Sequence, residues 1–415
     1  MTLAPYSGWT FWALLAGLVA THALLTRMDA ARSARNLAMI ALSLAVVVLA
    51  HGADRWAWVL LLFLLGLVVG IYQVGRRLAE ESSATRNRLA WTAVALIVLV
   101  LCYFKYSVIY EPLDLAISRL AAVSYRHLVL LGVSYFAFKF IHFLVECRRK
   151  SVGELDLLTF VNYILFFPSF FAGPINRYAD FARDMGQALS PDYLEGGKRI
   201  ITGLFKKVVL AASLYPYSFV ALDLADPELG PWRAILSVYA YAFYIYFDFA
   251  GYTDMALGAG RMVGLQLPEN FDYPFLRRNL QKFWANWHMS LTAWLTDYVY
   301  WPLVRKLRHA RVLEHRPVST SSLAIVITFM VCGVWHGDGV TFLIWGTYHG
   351  VGLALLNLYT HVVKKYFSKR WRIFVKRSPV AYGVSNFVTV QYVVFGFLLF
   401  GSDVAGLREF FTVIT

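Results

Sequence analysis

Long apolar stretches, separated by short and often basic connections, set the plan of this chain. They cover about residues 6–26, 36–52, 56–75, 90–110, 127–146, 157–173, 200–222, 232–258, 321–335, 339–360 and 380–401. A helix needs roughly 20 apolar residues to cross a bilayer, so the pattern predicts about ten or eleven transmembrane helices. A membrane β-barrel would instead show short alternating strands. The expected fold class is therefore all-α and polytopic, in a single membrane domain over residues 1–415.

The connections differ in charge. Arg27, Arg32 and Arg35 fill the first, Arg76, Arg77, Arg86 and Arg88 the next, and Arg148, Arg149 and Lys150 another. Residues 364–377 hold seven Lys or Arg residues, whereas the connections near 53–55 and 111–126 hold few. Basic loops stay on the cytoplasmic side, which places the N-terminus outside. Residues 259–316 break the rhythm with Pro268, Pro274 and Pro302, many aromatic residues, and a basic run of Arg305, Lys306, Arg308 and Arg311. Irregular backbone at membrane depth is tolerated only when buried in protein or lining a wet cavity. Short, partly re-entrant helices around a central tunnel are expected there.

Composition agrees. Of 415 residues, 59% are hydrophobic and only 15% charged, against about 25% charged in soluble domains. The net charge of +14 follows from the cytoplasmic loops and gives no reason to invoke nucleic acid. Cys102, Cys147 and Cys332 lack metal-ligand spacing. The first apolar run is full-length and precedes a basic loop, so it reads as a retained span.

Two histidines stand out against this background. His288 lies in Phe283-Trp-Ala-Asn-Trp-His-Met-Ser-Leu291, and His336 in Cys332-Gly-Val-Trp-His-Gly337. Each directly follows a tryptophan, Trp287 or Trp335, and Asn286 precedes the first pair. Ionisable groups at membrane depth are costly and point to function or a specific partner. Moving an acyl group from a thioester to a hydroxyl needs a base, donors for the oxyanion and a cavity that aligns both substrates. His336 suits the base, and Gly333 and Gly337 leave room for close substrate approach. His288 suits a substrate-orienting or charge-stabilising role. Without a nucleophile elbow, direct transfer is expected rather than an acyl-enzyme.

Other polar residues read as structural first. His22, His51, His127, His142 and His361 fit hydrogen bonds between helices, with His349 intermediate. Asp248, Asp254 and Asp297 call for pairing, with Arg261, Arg277 or Arg278 as candidates. Gly173-Pro174 ends a helix and leaves Arg177 near the membrane surface, either snorkelling or holding an anionic group. No histidine pair or carboxylate completes a metal pattern. Composition alone also leaves open a proton-coupled transporter or flippase, and a non-catalytic scaffold that recruits a carrier protein.

At these residues the chain resembles the membrane-bound O-acyltransferase superfamily, in its bacterial envelope branch. Ala172-Gly-Pro-Ile-Asn-Arg-Tyr178, Tyr246-Phe-Asp-Phe-Ala-Gly-Tyr-Thr-Asp-Met255 and Pro268-Glu-Asn-Phe-Asp-Tyr-Pro274 carry the resemblance. So do the two histidine tracts, all in family order over about residues 160–355. The resemblance implies a ring of helices around a central tunnel in the bacterial cytoplasmic membrane, with His336 the principal catalytic histidine and His288 the second. It implies no bound cofactor. The donor would be a cytoplasmic thioester, on a phosphopantetheinyl acyl carrier protein or as acetyl-CoA. The acceptor would be an envelope glycopolymer, often reached through a membrane-anchored or periplasmic partner. Asp297 and Arg177 would shape the tunnel, with Trp287, Trp335, Asn286, Asp248 and Asp254 in support.

Two sub-branches compete. The length and Tyr300-Trp-Pro-Leu-Val-Arg-Lys306 fit D-alanyl transfer toward teichoic-acid-like polymers. Gly260-Arg-Met-Val-Gly264 and Pro268-Glu-Asn270 fit the polysaccharide O-acetylating type. Ala285-Asn286 departs from the basic residue common just before Trp-His. The expectation leans to D-alanyl transfer.

Overall fold

A computed structural model of the chain describes residues 9–28, 31–52, 55–121, 130–187, 190–226, 228–309, 313 and 315–415. Residues 6–8 of the first expected span, the connection residues 53–54, the stretch 122–129 with His127, and Arg311 lie outside that set. Among the described residues every regular element is helical.

Among the described residues, six helices are long and apolar enough to cross a membrane: Ser33–Ala50, Ala57–Glu80, Ser83–Lys105, Pro231–Met262, Pro317–His336 and Pro379–Gly401. Trp12–Arg27 is a shorter apolar helix. The other apolar stretches take different forms. Residues 157–173 divide into Leu157–Leu165 and Phe167–Phe170. Nine residues reach only ~14 Å, so neither piece crosses a bilayer. Residues 200–222 contain a π-helical segment, Phe205–Ala211, and a 3₁₀ turn, Tyr215–Tyr217.

The chain divides into two compact units, residues 1–202 with 253–268, and 203–252 with 269–415. In the first, Val133–Arg149 is buried on nearly every side. Its Phe136, Phe140 and Phe143 pack with Phe160, Tyr163 and Tyr178, all less than 3% exposed. Asp156 starts the Leu157–Leu165 helix by accepting from the Thr159 N–H at 2.8 Å. Lys139, only 1% exposed, donates to the Tyr163 carbonyl at 2.9 Å and lies 3.3 Å from Ser169 Oγ.

In the second unit, Pro317–His336 packs against Val340–Tyr366 at van der Waals distance because glycines face each other. A methyl on Gly333 would collide with the Phe342 carbonyl, and one on Gly346 with the Phe329 carbonyl. The room left by Gly333 and Gly337 is thus taken by the neighbouring helix, through Phe342 and Gly346, and not by substrate. This close crossing fixes the end of the helix on which His336 sits.

Candidate active site

His288 owes its position to local backbone chemistry. The segment from Pro268 to Leu295 is too short of apolar periodicity to form a spanning helix. It folds as a 3₁₀ turn, Pro274–Leu276, and two short helices, Leu280–Trp284 and Met289–Leu295. Asn279 caps the first of these by accepting from the Lys282 N–H at 2.8 Å. Between them the chain reverses, and Phe271 pairs antiparallel with Trp287.

At that reversal His288 adopts a left-handed conformation, φ 43°, ψ 54°. A non-glycine residue there is strained by about 1–3 kcal/mol and persists only when its surroundings over-determine it. Asn270 supplies that constraint. Its carbonyl accepts from the Met289 N–H at 3.0 Å, and its Oδ1 accepts from the Ser290 N–H at 3.2 Å and Oγ at 2.7 Å. Thr292 closes the other side, its hydroxyl lying 3.1 Å from the Trp284 carbonyl and 3.3 Å from that of Trp287. The imidazole is 4% exposed and meets Phe249 edge-on at 4.7 Å.

His336 ends the Pro317–His336 helix and is half-buried. Its ring lies 4.6 Å from Trp335, 5.0 Å from Trp345 and 5.0 Å from Phe400. Trp335 sits between the histidines, with its centroid 6.4 Å from His288. Both histidines line one cavity of about 120 Å³. Its other walls are mainly aromatic, including Trp284, Trp287, Trp345, Phe397 and Phe400. Thr292, Thr296 and Thr328 also line it, and the hydroxyl of each donates back to a backbone carbonyl. Cys332 lines the same cavity one helical turn before His336.

One wall carries an open donor. Trp284 is 8% exposed, and its indole N–H has no hydrogen-bond partner among the described residues. An unmade bond of this kind costs about 1–3 kcal/mol. The Trp284 ring also lies 4.9 Å from His349, whose Nδ1 has no hydrogen-bond partner among the described residues either.

Of the remaining expected residues, Trp287 shares the cavity and the others fall elsewhere. Trp287 lines the cavity and stacks on Phe283 at 5.5 Å. Asn286 does not line it; its Nδ2 donates to the Lys282 carbonyl at 2.7 Å and its own carbonyl accepts from Asp272 N–H. Asp297 is exposed in the π-helical turn Thr296–Tyr300, away from the cavity lining. Asp248 pairs with Lys207. In the first unit, Asp254 pairs with Arg199 at 2.8 Å, and Arg177 lies 3.3 Å from His142 Nδ1. Asp248 and Asp254 thus each meet a cation, Lys207 and Arg199, that the sequence had not pointed to. Arg261 bonds Glu195 at 2.9 Å, Arg277 bonds Asp272, and Arg278 donates to the Lys376 carbonyl. His142 accepts from the Tyr178 N–H at 3.1 Å, and His51 from the Leu131 N–H at 3.2 Å, the structural roles expected of both.

Sequence reasoning missed Asn270, Trp284, Lys207 and Arg199. Asn270 and Trp284 lay inside tracts already singled out, but nothing in their spacing revealed a clamp or a spare donor. Lys206-Lys207 inside an apolar run was a readable signal that one lysine meets a buried acid.

Residues 56–399 match the membrane-bound O-acyltransferase family, MBOAT. A teichoic acid D-alanyltransferase of Bacillus subtilis (strain 168) is 31% identical over 281 residues, covering 65% of this chain and 68% of that protein. A probable alginate O-acetylase AlgI of Azotobacter vinelandii is 32% identical over 275 residues, 64% of this chain and 53% of its own. Another, from Pseudomonas syringae pv. tomato, is 29% identical over 358 residues, 84% of this chain and 64% of its own. The chain thus spans about half the length of the Azotobacter protein and just under two thirds of the Pseudomonas one. With the family match running through both histidines and most of the apolar helices, the chain belongs to the membrane-bound O-acyltransferase family, and by that membership it is a polytopic membrane acyltransferase.

Proposed function

We propose that this protein moves a short acyl group from a cytoplasmic thioester to a hydroxyl of an extracytoplasmic envelope glycopolymer. His336 takes the hydroxyl proton as the oxygen attacks the thioester carbonyl. The tetrahedral oxyanion that forms is met by His288 and by the Trp284 indole N–H. Collapse breaks the C–S bond, and the proton on His336 passes to the departing thiolate. No acyl-enzyme and no bound cofactor are needed. Removing one oxyanion donor from such a site typically costs 10²–10³-fold in rate.

The observation that carries this reading is the shared cavity, where two histidines from separate elements meet beside a buried, unmatched N–H donor. Its size, about 120 Å³, suits a two- or three-carbon acyl group. The D-alanyl donor on a carrier protein is favoured by the Bacillus teichoic acid D-alanyltransferase, of whose length this chain covers 68%. Acetyl transfer from acetyl-CoA is the second reading, supported by the two O-acetylase relatives. A membrane-anchored or periplasmic partner would then complete delivery to the polymer.

The test is transfer by the protein in nanodiscs, with labelled acetyl-CoA and labelled D-alanyl carrier protein offered separately. Transfer from the carrier alone supports the first reading, and from acetyl-CoA alone the second. Folded protein that moves label from neither donor contradicts both.

A further inference from the structure

The segment between the Val340–Tyr366 and Pro379–Gly401 helices has a feature that acyl transfer does not use. Ser368 caps a nine-residue helix, Lys369–Arg377, its side chain accepting from the Trp371 N–H at 3.2 Å. At about 100° per residue, Phe374, Trp371 and Val375 share one arc roughly 100° wide. Lys369, Arg370, Arg372, Lys376 and Arg377 occupy the rest, together with Ile373. No residue of this helix is buried, and Phe374 is 71% exposed.

Between Lys364 and Arg377 there are seven Lys or Arg residues and no acid. Topology alone accounts for the charge, but not for the aromatic arc, where Phe367 packs on Trp371 at 4.4 Å. A cationic face opposite an aromatic one, on a short helix joining two long helices, is the pattern of a helix lying in the headgroup plane. Its basic face then meets anionic headgroups. An acidic protein would complement the charge and leave the aromatic arc unused.

This surface is also fastened to the approach to His288. Arg278 Nη1 donates to the Lys376 carbonyl at 3.0 Å, and its guanidinium lies 5.9 Å over the Tyr382 ring. The Tyr382 hydroxyl donates to the Leu276 carbonyl. Asn386 Nδ2 donates to the carbonyls of Phe275 at 2.8 Å and Arg277 at 2.9 Å. Residues 275–278 lead directly into the Leu280–Trp284 helix.

We propose that Lys369–Arg377 is an interfacial helix that binds anionic phospholipid headgroups and, through Arg278, braces the segment ahead of His288. Each neutralised Lys or Arg then weakens lipid binding about fivefold, the equivalent of ~1 kcal/mol.

Hydrogen exchange of the full chain tests this without any activity measurement. Nanodiscs of phosphatidylcholine alone are compared with nanodiscs containing phosphatidylglycerol. Amides of residues 369–377 and 275–279 should exchange several-fold more slowly with phosphatidylglycerol. Arg370→Gln with Arg372→Gln and Lys376→Gln, which keeps four basic residues in the connection, should abolish both effects. Arg278→Gln should keep the protection of 369–377 and lose that of 275–279. Equal exchange in both lipids would overturn the proposal. So would protection produced by free glycerol phosphate, or only by an added acidic carrier protein. Protection of 369–377 with no response in 275–279 of the unaltered chain would overturn the bracing role.

Discussion

Replacing Asn270 with alanine separates the clamp on His288 from the rest of the fold. Asn270 is fully buried, and alanine keeps its carbonyl bond to the Met289 N–H but removes the Oδ1 that accepts from both Ser290 groups. Losing a buried acceptor costs about 1–3 kcal/mol per donor left behind. Relaxation of the left-handed His288 backbone returns about 1–3 kcal/mol. The net loss of stability is therefore about 1–3 kcal/mol, read as earlier aggregation on heating and size-exclusion. The effect on catalysis is larger, because a displacement of about 1 Å at a catalytic group costs on the order of 10²-fold. Acyl transfer in nanodiscs should show kcat reduced about 100-fold with KM changed little. Asn270→Asp keeps an acceptor oxygen and should restore most of the rate, whereas Asn270→Leu should not. Full kcat in the alanine variant, alongside the stability loss, would refute the reasoning, since the clamp would then serve the fold alone.

Further outcomes follow from the same cavity. Trp284→Phe keeps the aromatic contacts with Phe329 and Trp345 but removes the indole N–H; transfer should fall about 10²-fold with the folded fraction unchanged on size-exclusion. Cys332→Ala should keep at least half the rate, and intact-mass spectrometry during turnover should show no acyl adduct; loss of activity with an adduct on the native chain would replace direct transfer by an acyl-enzyme. His288→Asn tolerates the left-handed backbone, so it should stay folded while kcat drops. Lys207→Met leaves the half-buried Asp248 without its cation and should destabilise by about 1–2 kcal/mol, discounted for partial exposure. Adding Asp248→Leu should recover much of that loss in the heating assay.

The long apolar helices were legible because one periodicity and one composition run through each, as in Pro317–His336 and Pro379–Gly401. Length misled where a local breaker acted inside an apolar run. Residues 157–173 are hydrophobic enough to cross a bilayer, yet Pro168 and Gly173-Pro174 divide them into a buried aromatic core. The two histidines were legible because an ionisable group in such surroundings demands a reason. Their meeting in one cavity was not, since it depends on the glycine crossing at Gly333 and Gly346 and on the reversal held by Asn270. Nor were the partners of Asp248 and Asp254. Charge balance announces that a buried aspartate needs a cation, but only the fold decides between Lys207 or Arg199 and the arginines nearer in sequence.

The most direct measurement is acyl transfer by His336→Ala in nanodiscs, beside the unaltered chain and with both thioester donors. General-base catalysis contributes about 10²–10⁴-fold, so the folded variant should lose transfer by at least two orders of magnitude with either donor. Undiminished transfer by folded His336→Ala would contradict the assignment of this cavity as the place where the acyl group moves.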